Sequence, residues 1–252
     1  MNELVRWSSR LPDHLLAEHE VHVWRAGLDL DAISTSRFSS TLSPEEKTRA
    51  AGFVLARDRD RFTATHGILR QLLGHYLCMP PANIPIKIGP HGKPALSNKE
   101  KKDVAPLHFN LSHSDGLGLF AFALKREVGI DLEQIRPEAA KEGIEEAYFS
   151  AQEQKELDRL PAESRAEGFF RCWTRKEAYL KARGEGLFLP LDSFDTSLTP
   201  GQPAVLYRVD QERWSLYSVC PEPGFIAAVV VESKKNILKF WEWSDQINSL
   251  GE

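Results

Sequence analysis

The chain has 252 residues, 42% of them apolar and 27% charged, which is enough to bury a sizeable core. The net charge of -4 comes from acidic and basic residues mixed along the whole length, which points away from a nucleic-acid binder with a long basic tract. The longest apolar runs, Leu117 to Leu124 and Phe225 to Val231, are too short to span a bilayer, and Met1 to Arg10 has no signal-peptide core. Cys78, Cys172 and Cys220 are odd in number, with no CxxC spacing, so neither a disulfide framework nor a zinc site is indicated. These features predict a cytoplasmic protein with no nucleic-acid or membrane partner.

In chain order, Val21, Val23 and Leu28 read as a strand, and Ser43, Pro44 and Glu46 open a helix. A longer helix over about Asp58 to Leu77 places Phe62, Leu69, Leu72, Leu73 and Tyr76 at helical spacing, and Pro80-Pro81 stops it. Ile84, Ile86 and Ile88 alternate as a strand, Gly89 to Pro94 is a loop, and Phe109 to Leu111 pairs with Leu117 to Leu124. The segment Asn98 to Asp103 reads as a solvated loop. A second unit opens with the strand Val128 to Glu133, continues through helices near Ile144 to Leu160 and Ala162 to Ala182, and ends in β-rich sequence from Ser193 to Trp243. The order loosely repeats, with the boundary near Arg126.

In Val128 to Glu133 the strand period sends Val128, Ile130 and Leu132 to one face and Asp131 and Glu133 to the other. Two carboxylates roughly 6 to 7 Å apart repel when both are ionised, unless water or a hard cation such as Mg²⁺ compensates. On the later helix Trp173, Glu177 and Lys181 recur at i, i+4 and i+8, within about 80° of arc. Phe169, Trp173 and Leu180 would form the buried stripe that holds the two charged residues rigidly. Taken singly, each feature has a plainer reading: a solvated acidic pair, a surface Glu-Lys pair, a structural His113, a turn at Lys93. The residues by themselves leave open a metal-dependent phosphodiesterase or nucleotidyl transferase, and also a protein that binds without turnover.

Four ordered motifs narrow this. His-Gly-Lys-Pro at 91 to 94, Phe-Asn-Leu-Ser-His-Ser at 109 to 114, Gly-Ile-Asp-Leu-Glu at 129 to 133 and Trp-Thr-Arg-Lys-Glu-Ala-Tyr-Leu-Lys at 173 to 181 together resemble the 4'-phosphopantetheinyl transferases. The match is to the larger, monomeric type that activates fatty-acid, polyketide and peptide synthetases, and it runs from about Leu42 to Leu191. The resemblance implies an α+β fold of two pseudo-symmetric halves, 1–126 and 127–252, each a small, mainly antiparallel sheet packed with helices, with the ligand cleft between them. It implies transfer of the phosphopantetheine arm of coenzyme A to a carrier-protein serine, with Mg²⁺, or Mn²⁺ in its place, on Asp131, Glu133 and Glu177. Lys181 would meet the pyrophosphate, and Glu177, a metal-bound water or Lys181 would take the serine proton. Lys93, Pro94, Ser112 and His113 would contact CoA from the first half, with Arg49 and Arg61 near the ribose 3'-phosphate. Leu187 and Phe188, beside Gly184, would meet the carrier. One departure stands out: Glu46 occupies a place where similar members often carry a basic residue, and a negative charge there would repel a phosphate.

Overall fold

The computed structural model describes residues 5–10, 12, 16–89, 92–97, 106–138, 143–184 and 189–245. In chain order the first half holds β1 (Glu20–Gly27), α1 (Ala32–Thr41), α2 (Pro44–Ala51), α3 (Ala56–Leu77), β2 (Ile86–Ile88), β3 (Pro94–Leu96), β4 (Leu107–Ser114) and β5 (Leu117–Leu124). The second holds β6 (Val128–Gln134), α4 (Ile144–Tyr148), α5 (Ala151–Asp158), α6 (Ala162–Arg183), β7 (Asp195–Thr196), β8 (Leu206–Tyr207), β9 (Trp214–Val219), β10 (Phe225–Glu232) and β11 (Ile237–Glu242). Two sheets, ordered β11-β1-β5-β4 and β6-β10-β9, carry the core. All their pairings are antiparallel except β1 with β11.

The strand period sorts side chains into layers. Val21, Val23, Leu119, Ala121 and Ala123 meet Val128, Ile130, Leu132, Ala227, Val229 and Val231 between the sheets. On the outer face of the first sheet, Trp24, Phe120 and Phe122 pack with Ile68, Leu69 and Leu72 of α3 and Phe38 of α1. On the outer face of the second, Ala228 and Val230 pack against Ala178 and Ala182 of α6. The central strands β5 and β10 are thus buried on both faces, which explains their unbroken apolar sequence.

The halves repeat in detail. Ser43 caps α2 and Ser150 caps α5, each in a capping box with Glu46 or Glu153. Each of these glutamates also pairs with a buried cation on the long helix of its half: Arg70 Nε lies 2.7 Å from Glu46 and Lys176 Nζ 2.8 Å from Glu153. The same cations hold the carbonyls of the turn after the helix. Arg70 donates to Pro81 and Ile84 at 3.1 Å, and Lys176 to Leu191 at 2.6 Å and Phe194 at 2.7 Å.

Four details differ from the sequence expectation. The helix expected over Ile144 to Leu160 breaks into α4 and α5, because Ser150 has extended backbone and caps the second segment. Helix α1, started by Asp31, was not anticipated; its one buried large apolar residue is Phe38. Ile84 lies outside β2, its carbonyl being taken by Arg70. The last strand, β11, returns across the 126/127 boundary to extend the first sheet, and Trp241 and Trp243 join the first-half core.

Candidate active site

The seam between the halves builds the site. Strands β4 and β6 belong to separate sheets, and alternate polar side chains of β4 bridge them. Asn110 Oδ1 accepts from the Ile130 amide at 2.9 Å, Ser112 Oγ donates to Asp131 Oδ1 at 3.0 Å, and Ser114 Oγ accepts from the Gln134 amide at 3.1 Å. Behind β6, α6 comes so close that a Cβ on Gly129 would sit 2.1 Å from the Ala178 carbonyl oxygen. Only glycine permits that approach, and it brings Asp131 and Glu133 up to the helix that carries Glu177 and Lys181.

Lys181 Nζ lies 2.6 Å from Asp131 Oδ1 and 3.1 Å from Ser112 Oγ. Asp131 Oδ2 is buried with no hydrogen-bond partner. Ser114 Oγ donates to Glu133 Oε2 at 3.0 Å. Burial, and then the Asp131 charge, push the Glu133 carboxyl above the usual carboxylate range. The Glu177 carboxyl is raised in the same way, by burial first and the Asp131 charge second, with Lys181 opposing.

The three carboxylates do not form a closed ligand set. Among the described residues, no group of three or more His, Cys, Asp or Glu side chains is gathered to hold a metal ion. The expected triad of Asp131, Glu133 and Glu177 is open because Lys181 compensates Asp131 and Ser114 holds Glu133. The chemistry nonetheless suits a hard cation: the donors are all oxygen, one buried carboxylate oxygen is unsatisfied, and two neighbouring carboxyls have raised pKa.

A cavity of about 490 Å³ opens beside these groups, with walls from both halves. Glu177, Leu180 and Lys181 line one wall; Lys93, Pro94, Asn110 and His113 line another; Arg49, Phe53, Phe62 and His66 lie along a third. Burial, and then the positive charges of Lys181, His66 and Arg61, lower the His113 pKa, so its imidazole is neutral at neutral pH and can donate one N–H. The Arg49 guanidinium lies over the Phe62 ring, 5.4 Å from its centroid.

Other expected residues are placed differently. Arg61 does not line the cavity; it is spent on Asp29, at 2.6 and 2.8 Å, and on Asp115 at 3.6 Å. Glu46 does not present a bare charge to the ligand. His66 Nδ1 lies 3.1 Å from its Oε1, and Oε2 accepts from Arg70 and from the Ser43 amide. Burial pulls the Glu46 pKa upward, but the bonds from His66, Arg70 and Ser43 outweigh it and hold the carboxyl at about 2. His91, Asn98 to Asp103, Leu187 and Phe188 lie outside the described residues. The residues not anticipated are Asn110, whose signal was the polar alternation Asn110, Ser112, Ser114, and His66, which has no local signal at all.

A profile of the 4'-phosphopantetheinyl transferase superfamily matches residues 127–230, and one for the N-terminal part of 4'-phosphopantetheinyl transferases matches residues 33–123. The 4'-phosphopantetheinyl transferase HetI of a Nostoc species is 39% identical over 237 residues, 94% of this chain and 98% of that protein. The 4'-phosphopantetheinyl transferase Sfp of Bacillus subtilis is 30% identical over 194 residues, 77% of this chain and 83% of that one. A solved holo-[acyl-carrier-protein] synthase from Thermotoga maritima overlays on 43% of this chain and 63% of its own at 24% identity and a TM-score of 0.34.

Proposed function

Since this chain belongs to the 4'-phosphopantetheinyl transferase superfamily, we propose that it transfers the phosphopantetheine arm of coenzyme A to a serine of a carrier protein and releases adenosine 3',5'-bisphosphate. The observation that carries this reading is the wall made by Glu177 and Lys181. A carboxylate and an ammonium stand a helical turn apart on the cavity wall, with Lys181 also 2.6 Å from the half-unsatisfied Asp131.

In the reaction the serine hydroxyl oxygen forms a bond to the phosphorus on the pantetheine side of the pyrophosphate. The bond from that phosphorus to the bridging oxygen breaks, and the electron pair leaves on adenosine 3',5'-bisphosphate. Glu177 accepts the serine proton from its place on the cavity wall; burial raises its pKa in the metal-free protein, and a cation held beside it would offset part of that rise. Lys181 places positive charge at the pyrophosphate, and neutral His113 offers an N–H to a phosphate oxygen. Ser112 fixes Asp131, and Arg49 is the cation best placed for the ribose phosphate, since it lines the cavity and has no carboxylate partner among the described residues. Asp131, Glu133 and Glu177 would hold Mg²⁺, which when bound supplies charge neutralisation at the leaving phosphate.

All of the cavity walls come from one chain, so the reading requires no second copy. Among the described residues no helix is long and apolar enough to cross a membrane. The test is incubation with CoA, Mg²⁺ and apo carrier proteins of fatty-acid, polyketide and peptide synthesis. A mass gain of one phosphopantetheine on a carrier supports transfer; no gain on any of them refutes it.

A further inference from the structure

A lysine ammonium has three N–H donors and no acceptor. Lys93 Nζ sends its donors to Glu127 Oε2 at 2.8 Å, to the Ala182 carbonyl at 3.3 Å and to the Val128 carbonyl at 3.4 Å. A phosphate at Lys93 would have to displace at least one of them. The turn is built to aim this side chain: Gly92 has φ +82, the Gly89 amide donates to the Lys93 carbonyl at 2.8 Å, and Pro94, which needs no N–H there, begins β3.

The acceptors matter for where they sit. Val128 opens β6, the strand of Asp131 and Glu133, and Ala182 directly follows Lys181 in the last turn of α6. That turn ends at Gly184, with φ +69, and its carbonyls are the negative end of the helix dipole, where a cation is favourable. Glu127 is itself held from the first half, with His108 Nδ1 on β4 lying 3.0 Å from its other oxygen. Burial pulls the Glu127 pKa upward, yet His108 and Lys93 hold it at about 2, so the carboxylate stays charged across the working pH range.

We infer that Lys93 is a positioning residue and not a phosphate ligand: it clamps the β2–β3 hairpin of the first half to β6 and the last turn of α6, and so sets Glu177 and Lys181 against the Ser112–Asp131 seam. The link to catalysis rests on the transferase reading above; the clamp itself does not.

The test uses the full chain with Lys93→Met, Glu127→Gln and both together, measuring kcat and KM for CoA in the transfer assay, Kd for CoA by calorimetry, and thermal melting. Each single variant is expected to lower kcat by about tenfold, while KM and Kd for CoA move by less than about threefold, because the groups that bind CoA remain and only their alignment is lost. The double variant should lose less than the sum of the two singles, in both kcat and melting temperature, because both changes break the same Lys93–Glu127 pair. The inference is overturned if Lys93→Met weakens CoA binding by about tenfold or more while Glu127→Gln keeps the wild-type kcat, the pattern of a phosphate ligand. It is equally overturned if the melting losses of the two singles add. If wild-type protein transfers nothing to any carrier, the proposed function fails, and the melting cycle still decides the clamp.

Discussion

Replacing Glu46 with Gln tests the assignment of this acidic residue to the protein's own framework. The substitution keeps an oxygen for the Ser43 amide, so the capping box survives and the charge facing His66 and Arg70 is lost. The Arg70 side chain is 2% exposed and that of Glu46 12%, so the variant leaves a buried guanidinium without its counter-charge. Removing one partner of a buried pair costs about 3–5 kcal/mol. The shift from 4.5 to about 2 is about 2.5 units (4.5 − 2), or about 3.4 kcal/mol at about 1.36 per unit. Both routes give about 3 kcal/mol at pH 7, measurable by urea unfolding. The sign is fixed by the depressed pKa. The Glu46 contribution is fully present above about pH 4.5 and is lost as pH falls towards 2, so wild type and variant should converge in that window. A loss under about 1 kcal/mol at pH 7, or a gap that does not close on acidification, would refute the pairing. So would a marked gain in CoA affinity, since that would mean the carboxylate had been repelling a ligand phosphate.

Gly129→Ala should destabilise the fold by about 1–3 kcal/mol or more in the same unfolding assay, because the new Cβ falls 2.1 Å from the Ala178 carbonyl oxygen. Lys176→Met should cost about 3–5 kcal/mol by stranding Glu153, which is 1% exposed, and any activity lost should track the unfolded fraction. Glu177→Gln should instead lower kcat by about 10²–10⁴ with little change in melting temperature, since its carboxylate has no protein hydrogen-bond partner among the described residues. In wild type the kcat profile should fall on acidification as Glu177 takes up a proton; persistence of that limb in the Gln variant would remove Glu177 as the base.

The parts of the molecule legible in the sequence are those written in local period. Alternation in Val128 to Glu133 placed the apolar residues between the sheets and the acids on the other face, and the spacing of Trp173, Glu177 and Lys181 placed two of them on the cavity wall. Ser43, Pro44 and Glu46 announced α2 for the same reason. What was not legible depends on partners far along the chain. Nothing near Glu46 reveals that Arg70 and His66 neutralise it, and nothing near Lys93 reveals Glu127 and Ala182. Arg61 looked available because Asp29, its partner, lies 32 positions away. Asn110, Ser112 and Ser114 alternate plainly enough, but a polar strand face reads as solvated until the edge of another sheet is set against it.

The strand β11 ties the end of the described chain to its beginning: Arg25 and Glu242, joined by a 3.0 Å bond, are 217 positions apart. During synthesis the first sheet therefore cannot be completed when its own half emerges. It waits, with the edge of β1 unpaired and Trp24 uncovered by Trp241, until nearly the whole described chain has been translated. The sheet of the second half waits almost as long, since α4 to α6 separate β6 from β9 and it closes only when β10 emerges, just ahead of β11. The half made first is thus completed only with the last described strand, and until then the edge of β1 stays open.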